Sequence, residues 1–337
     1  MDIYSAQRLI GEDAVNTMHE RYNILKFLSE TDHAGRRMIS DNLFLSERTV
    51  RNHLEYLEMK DLITVGKSGA AIKKEGLTAL SVLTDYFSRM FSSKEKETAL
   101  KELLGIDDVV IVRGDSSFDQ LSVHNIAYEA DKILTGSPLG AKVIAVSGGN
   151  TMKAVSDNLK GMISDQCTVI PVRGAVGRSH AASANSISST MGMRLKCNAY
   201  RLNIPDGISL ADLDVLAESP DITAVTDLYD KIDILFFGIS DPKILIENRT
   251  FGELEKGLVS SPLCVGEALG FYLDSEGRVI KSPEKVGLSK DQINRIPKKY
   301  AVAGGSGKSK AIKALCAFIN DIVLITDEGC ADALLNK

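Results

Sequence analysis

The 337-residue sequence predicts an α/β protein: an N-terminal winged helix-turn-helix domain followed by a Rossmann-like, doubly wound, mostly parallel sheet. Three observations predict it. Residues 1–75 carry short helical periods and then a hairpin signal. Residues 105–337 alternate short β-rich runs, apolar on both faces, with helical stretches, which is how a parallel sheet covered by helices reads. Between them, over 76–104, Leu80, Leu83, Phe87 and Met90 recur at helical spacing and mark a helical linker. That linker either packs on a neighbouring domain or pairs two chains. At about 100–200 residues per domain, the length suits two domains.

In the first domain, Arg21–Glu30 reads as a helix with Ile24, Leu25 and Leu28 on one side. Residues 36–45 give a second short helix. Ser46 then occupies an N-cap position. In the helix it opens, Val50, Leu54 and Leu57 form a core stripe at i, i+4 and i+7. Arg48, Thr49, Arg51, Asn52 and Tyr56 are left on the other faces. Two helices joined by a short turn, the second presenting Arg, Thr and Asn near its start, suit the DNA major groove. Arginine there meets guanine or phosphate, and asparagine pairs with adenine. The next strand, the turn Gly66-Lys67-Ser68-Gly69 and a second strand ending near Lys73-Lys74 form a wing whose lysine can meet phosphate. From Arg36 to Lys74 stand eight basic and five acidic side chains, a modest excess. A small helical cap with a solvated charged face is the plainer reading, but the order of elements favours DNA. The expected contact residues are Arg37, Ser46, Arg48, Thr49, Arg51, Asn52 and Lys67.

In the second domain, six runs read as strands: Asp108–Val112, Ala141–Val146, Cys167–Val172, Asp233–Gly238, Tyr300–Gly305 and Asp321–Thr326. Ligands on such sheets sit beyond the carboxyl ends of the strands. After Val146 comes a Gly148-Gly149 turn opening a helix with Asn150 and Thr151. After Val172 comes Arg173. After Phe237 comes Gly-Ile-Ser-Asp-Pro-Lys, with Arg249 further on. After Val302 come Gly304, Gly305, Ser306, Gly307, Lys308 and Ser309. This last loop nearly matches G-x-x-x-x-G-K-[ST], but Val302 stands where the first glycine belongs. Three readings remain for it: a nucleotide loop, a grip on another phosphate through the amides of Gly304, Gly305 and Ser306 with Lys308, or a plain strand-to-helix turn. Two Gly-rich helix starts and two arginines together favour a ligand with more than one phosphate.

An enzyme of the sugar-phosphate isomerase or deaminase type is the alternative. It needs a base poised near neutral pH. His180 is the one histidine near these loops, and Glu267 serves equally as a base or as an acceptor of sugar hydroxyls. No nucleophile–base pair lies within reach in the sequence, so no catalytic residue, cofactor or metal is expected.

Composition is ordinary for a globular protein, 44% hydrophobic and 25% charged, and the net charge of −5 excludes a wholly basic nucleic-acid coat protein. The five cysteines (Cys167, Cys197, Cys264, Cys316 and Cys330) form no C-x-x-C pair, which argues against a disulfide framework or zinc module and fits a reducing cytosol. No signal peptide or membrane span is expected.

The combination and order of the winged helix-turn-helix, Ser147–Met152, Pro171–Gly174, Gly266–Ile280, Ala301–Ile312 and Val323–Gly329 resembles the SorC/DeoR group of bacterial regulators over essentially the whole chain. The resemblance implies a cytoplasmic, oligomeric repressor of glycolytic genes, a dimer or tetramer, whose operator binding answers to fructose 1,6-bisphosphate. It implies that the second domain is a sugar-phosphate isomerase fold turned sensor. Carried over by motif, the effector residues are Gly148, Gly149, Asn150, Thr151, Arg173, Arg249, Glu267 and Lys308, with Ser183 in place of a glutamine. Asn150 departs from the usual threonine but keeps an amide donor.

Overall fold

The computed structural model describes residues 3–43, 45–90, 93–136, 143–160, 167–174, 181–204, 215–216, 218–243, 245, 257, 259–283 and 286–335. The chain divides into two units, Met1–Ser92 and Ser93–Lys337.

The first unit begins with α1 (Ile3–Ser29), interrupted at Gly11, whose backbone leaves the helical region. Helices α2 (Arg36–Leu43) and α3 (Glu47–Met59) follow. Ser46 caps α3 as the sequence predicts, accepting the Thr49 N–H at 3.0 Å. Strands β1 (Ile63–Gly66) and β2 (Gly69–Ile72) form the antiparallel wing. Ala34 adds a bridge to it, exchanging two backbone hydrogen bonds with Ala70 at 3.0 and 2.9 Å. Gly69, at φ +118°, allows this approach, since a Cβ there would lie 2.7 Å from the Ala34 carbonyl. Ile24, Leu28, Ile39, Val50, Leu57 and Ile63 fill the core between these elements. The wing ends before Lys73-Lys74: Lys73 pairs with Asp61, and Lys74 opens α4 (Lys74–Met90).

The stretch expected to be one linker helix is two. Helix α4 packs on α1, where Phe87 and Met90 meet Val15 and Tyr22, with the Tyr22 and Phe87 rings 4.8 Å apart. Helix α5 (Lys94–Leu104) belongs to the second unit and ends at Gly105 in the left-handed region. The contact made by Phe87 and Met90 is thus with the chain's own first helix.

In the second unit, seven parallel strands form one sheet: β3 (Asp108–Val112), β4 (Val143–Val146), β5 (Thr168–Pro171), β6 (Asn198–Ala199), β7 (Ile234–Gly238), β11 (Lys298–Val302) and β12 (Val323–Asp327). Their order across the sheet is β3-β12-β11-β7-β4-β5-β6. From β4 the chain steps outward through β5 to β6, then returns to place β7 on the other side of β4. The connection therefore reverses between β4 and β7, the seam at which ligands gather in such sheets. Alternate residues feed two cores. Ala145, Leu235, Phe237 and Leu324 point to one, and Ile144, Val146, Phe236 and Ile325 to the other. Helices α6 (Gln120–Gly136), α7 (Asn150–Asn158), α8 (Ala184–Leu195), α9 (Pro220–Thr226), α10 (Lys290–Arg295), α11 (Ser309–Phe318) and α12 (Glu328–Leu335) belong to the same unit. The Gly266–Lys281 segment, expected only as a motif, forms a separate antiparallel sheet of β8 (Gly266–Ala268), β9 (Phe271–Leu273) and β10 (Val279–Lys281).

Candidate functional site

A cavity of about 230 Å³ opens at the carboxyl ends of β4, β5, β7 and β11. Its wall includes Gly148, Gly149, Asn150 and Thr151 after β4, Arg173 after β5, Ser183 before α8, and Lys308 after β11. These predicted residues come from distant parts of the chain and meet at the seam. The β4 turn is held by Ser147, whose hydroxyl accepts the Gly238 N–H at 2.9 Å and so ties β4 to β7. Gly149, at φ +118°, turns the chain into α7 and donates its N–H to the Ala182 carbonyl at 2.8 Å. The N-cap residue of α7 is Gly149, which has no side chain to cap it, so the amides of its first turn, at Asn150 and Thr151, suit an anion.

Among the described residues, two cations line this wall. Arg173 is steered from behind by Glu267, with Nη1 donating to Oε1 at 3.4 Å. Glu267 is buried, also accepts the Gly270 N–H at 3.0 Å, and pairs its backbone with Ser240. It is not among the described residues of the cavity wall, and its carboxylate accepts from Arg173 and Gly270. Lys308 is half-buried, and burial lowers its ammonium below the usual lysine range, while Asp327, Cys330 and Asp241 pull it back up.

The Gly-rich loop differs more sharply from expectation. Gly304, Gly305 and Ser306 do not line the cavity. The Gly305 N–H donates to Asp327 at 2.7 Å and the Ser306 N–H to Asp115 at 3.2 Å. Two carboxylates of the protein thus take two of the three amides expected to grip phosphate, and Lys308 represents this loop at the wall. Ser183 does line the cavity, but its hydroxyl caps α8, accepting the Ser186 N–H at 3.2 Å. Arg249 and His180 lie outside the described residues. The loop after Phe237 is named in the sequence without a role for Ser240 and Asp241, and both line the cavity after β7. Their position just beyond a strand end was the available signal.

In the first unit, Arg37, Arg48, Arg51, Asn52 and Lys67 are exposed and Thr49 is half-buried. Arg48, Arg51 and Asn52 lie on α3, and Lys67 lies in the wing turn. Arg51 is paired with Glu55 at 2.8 Å and Arg37 lies 3.9 Å from Asp41. Tyr56 is half-buried beneath the Arg21 guanidinium, 3.5 Å from its ring centre. His53 is buried between Glu20, at 2.7 Å, and Arg21, at 3.4 Å, and so locks α3 to α1. Among the described residues no cluster suited to a metal ion occurs, and no helix is long and apolar enough to cross a membrane.

Residues 88–336 match the Sugar-bind family, a sugar-binding domain, and residues 17–87 match the CggR N-terminal DNA binding domain. The chain is 29% identical over 334 residues to the central glycolytic genes regulator of Bacillus subtilis (strain 168), covering 99% of this chain and 98% of that protein. It is 23% identical over 312 residues to the transcriptional regulator LsrR of Escherichia coli (strain K12), covering 88% and 91% of the two chains. A SorC family transcriptional regulator from Enterococcus faecalis superposes with a TM-score of 0.67 at 28% identity, over 72% of this chain and 99% of that one. The full-length sorbitol operon regulator SorC from Klebsiella pneumoniae shares the fold at a TM-score of 0.65 and 16% identity, over 94% and 97%.

Proposed function

Because the chain belongs to the Sugar-bind family, as a SorC-type transcriptional regulator with a DNA-binding head, we propose that it is a cytoplasmic, oligomeric repressor of glycolytic genes whose hold on operator DNA answers to fructose 1,6-bisphosphate. One observation carries the effector reading: Arg173, Lys308 and the open amino end of α7 converge on a single cavity at the seam of the sheet. That arrangement suits phosphate on a small polar ligand. The 29% identity to a central glycolytic genes regulator supports the choice of genes. Arg249, outside the described residues, completes the set of cations in this reading. Asp241, the carboxylate among the described wall residues, accepts sugar hydroxyls.

Ligand phosphate draws the turn after β4, Arg173 and Lys308 together. This changes DNA binding only because the ligand prefers one arrangement of the oligomer over the other. Anisotropy titration of operator duplex, at fixed salt, with and without fructose 1,6-bisphosphate tests it. Equal operator affinity and equal oligomer size in both conditions would refute the reading. We assign no catalytic step to the cavity. Incubation with fructose 6-phosphate or fructose 1,6-bisphosphate that returned a new sugar would replace the sensor by an enzyme.

The lowered ammonium of Lys308 sets the pH dependence. Phosphate binding needs this lysine charged, so affinity falls as pH rises through its depressed pKa, earlier than for an exposed lysine. At the acid end affinity falls as each phosphate dianion takes up one proton and becomes a monoanion, near pH ~6. Calorimetric titrations across this range should give a bell. Arginine stays charged throughout, so Lys308→Arg should lose the alkaline limb. An unchanged limb in that variant assigns it to another group.

A further inference from the structure

In the turn after β11, successive backbone N–H groups are bound by two carboxylates of the protein. Asp327, at the end of β12, is fully buried. Its Oδ2 accepts the N–H of Gly305 at 2.7 Å and of Ser116 at 2.8 Å, and its Oδ1 accepts the N–H of Cys330 at 2.9 Å. A Cβ at Gly304 would stand 2.3 Å from Oδ2, so glycine is needed for the chain to pass this close. Asp115 completes the arrangement by taking the Ser306 N–H. From there the chain makes one 3-10 turn, closed by the Lys308 N–H on the Gly305 carbonyl at 3.0 Å, and delivers Lys308 to the cavity wall.

We propose that Asp327 is a positioning residue for effector binding: by accepting the Gly305 N–H from within the fold, it fixes the Gly304–Ser306 turn and holds Lys308 at the cavity. The inference rests on the reading that Lys308 meets a ligand phosphate. With two of its amides taken by carboxylates of the protein, this turn offers the ligand one cation. An asparagine at 327 keeps the shape but has one oxygen instead of two and no charge. At least one of the three amides then faces an NH₂ group, and the turn loosens. Lys308 also loses the carboxylate that draws its ammonium upward.

Two measurements on the full chain test this. The first is a double-mutant cycle read by calorimetry with fructose 1,6-bisphosphate as the probe. Lys308→Ala should weaken binding about tenfold or more, the worth of one charge-assisted contact. Asp327→Asn should weaken it severalfold, and the double variant should bind within about twofold of Lys308→Ala alone, because both changes remove one contact. Effects that simply multiply would mean that Asp327 acts on general stability, and would overturn the proposal. The second needs no ligand. Acylation of Lys308 by an amine-specific reagent, followed by mass spectrometry across pH, should show its midpoint moved downward in Asp327→Asn. An unmoved midpoint overturns the proposal whether or not the sugar binds. A moved midpoint in a protein that binds no sugar phosphate would leave Asp327 as the holder of Lys308 and would defeat the effector reading instead. Should Asp327→Asn fail to fold, Asp115→Asn releases the Ser306 amide of the same turn and should show a smaller, equally non-multiplying loss in the cycle. A multiplying loss there counts equally against the proposal.

Discussion

Replacing Arg173 with alanine should remove about 3 kcal/mol of stability and at least a hundredfold of fructose 1,6-bisphosphate affinity. The stability loss follows from Glu267, whose side chain is 5% exposed and whose partner guanidinium is 20% exposed. Removing one member of a buried pair leaves an uncompensated charge, which typically costs about 3–5 kcal/mol. The remaining Gly270 N–H bond and the partial exposure of Arg173 put this case at the lower end. For a domain of this size each kcal/mol moves Tm by about 2–4 °C, so a thermal scan should fall by roughly 6–12 °C. The affinity loss follows from removing a cation that Glu267 has already aimed. Arg173→Lys keeps charge but not the planar fork, and should recover part of the stability and less of the binding. A thermal midpoint within about 2 °C of the parent, with binding intact, would show that Glu267 is held by other partners.

Arg51→Ala should weaken operator binding about ten- to hundredfold, while fructose 1,6-bisphosphate affinity stays unchanged. Arg51 is exposed on α3 and rests on Glu55 one turn away, 2.8 Å from its carboxylate. An exposed pair of this kind is weak, so the guanidinium is available to a base edge or phosphate at little cost. Ser46 and Val50 hold the helix from its other faces, so the substitution leaves α3 in place. The measurement is duplex anisotropy at matched salt, since salt alone shifts such affinities by orders of magnitude. Unchanged operator affinity would mean that a face other than that of Arg51 meets the DNA.

The fold was largely legible because its strongest signals are local. Six strands were readable because runs such as Ile234–Gly238 are apolar on both faces, and α3 because Ser46 precedes a clean i, i+4, i+7 stripe. Strand β6 was not, having two exposed residues. Strands β8 to β10 were not, at three residues each. The cavity was legible where a residue's place beyond a strand end decides its role, as for Gly148, Arg173 and Lys308. It was illegible where a role depends on who sits behind. Asp115 and Asp327 reach Ser306 and Gly305 because β12 lies between β3 and β11, and no local pattern announces that neighbourhood. Glu267 reads as a ligand group in the sequence, and only the fold puts Arg173 in front of it.

The seam between β4 and β7 has a consequence for the lifetime of the protein. A molecule lodged there touches segments that the chain visits far apart, from Gly148 to Lys308. It therefore acts as a removable rivet across the two halves of the sheet. Opening must then wait for the ligand to leave, and the share of molecules open to proteases falls as occupancy rises. On the proposed reading, the abundance of the regulator would then follow the level of the sugar phosphate.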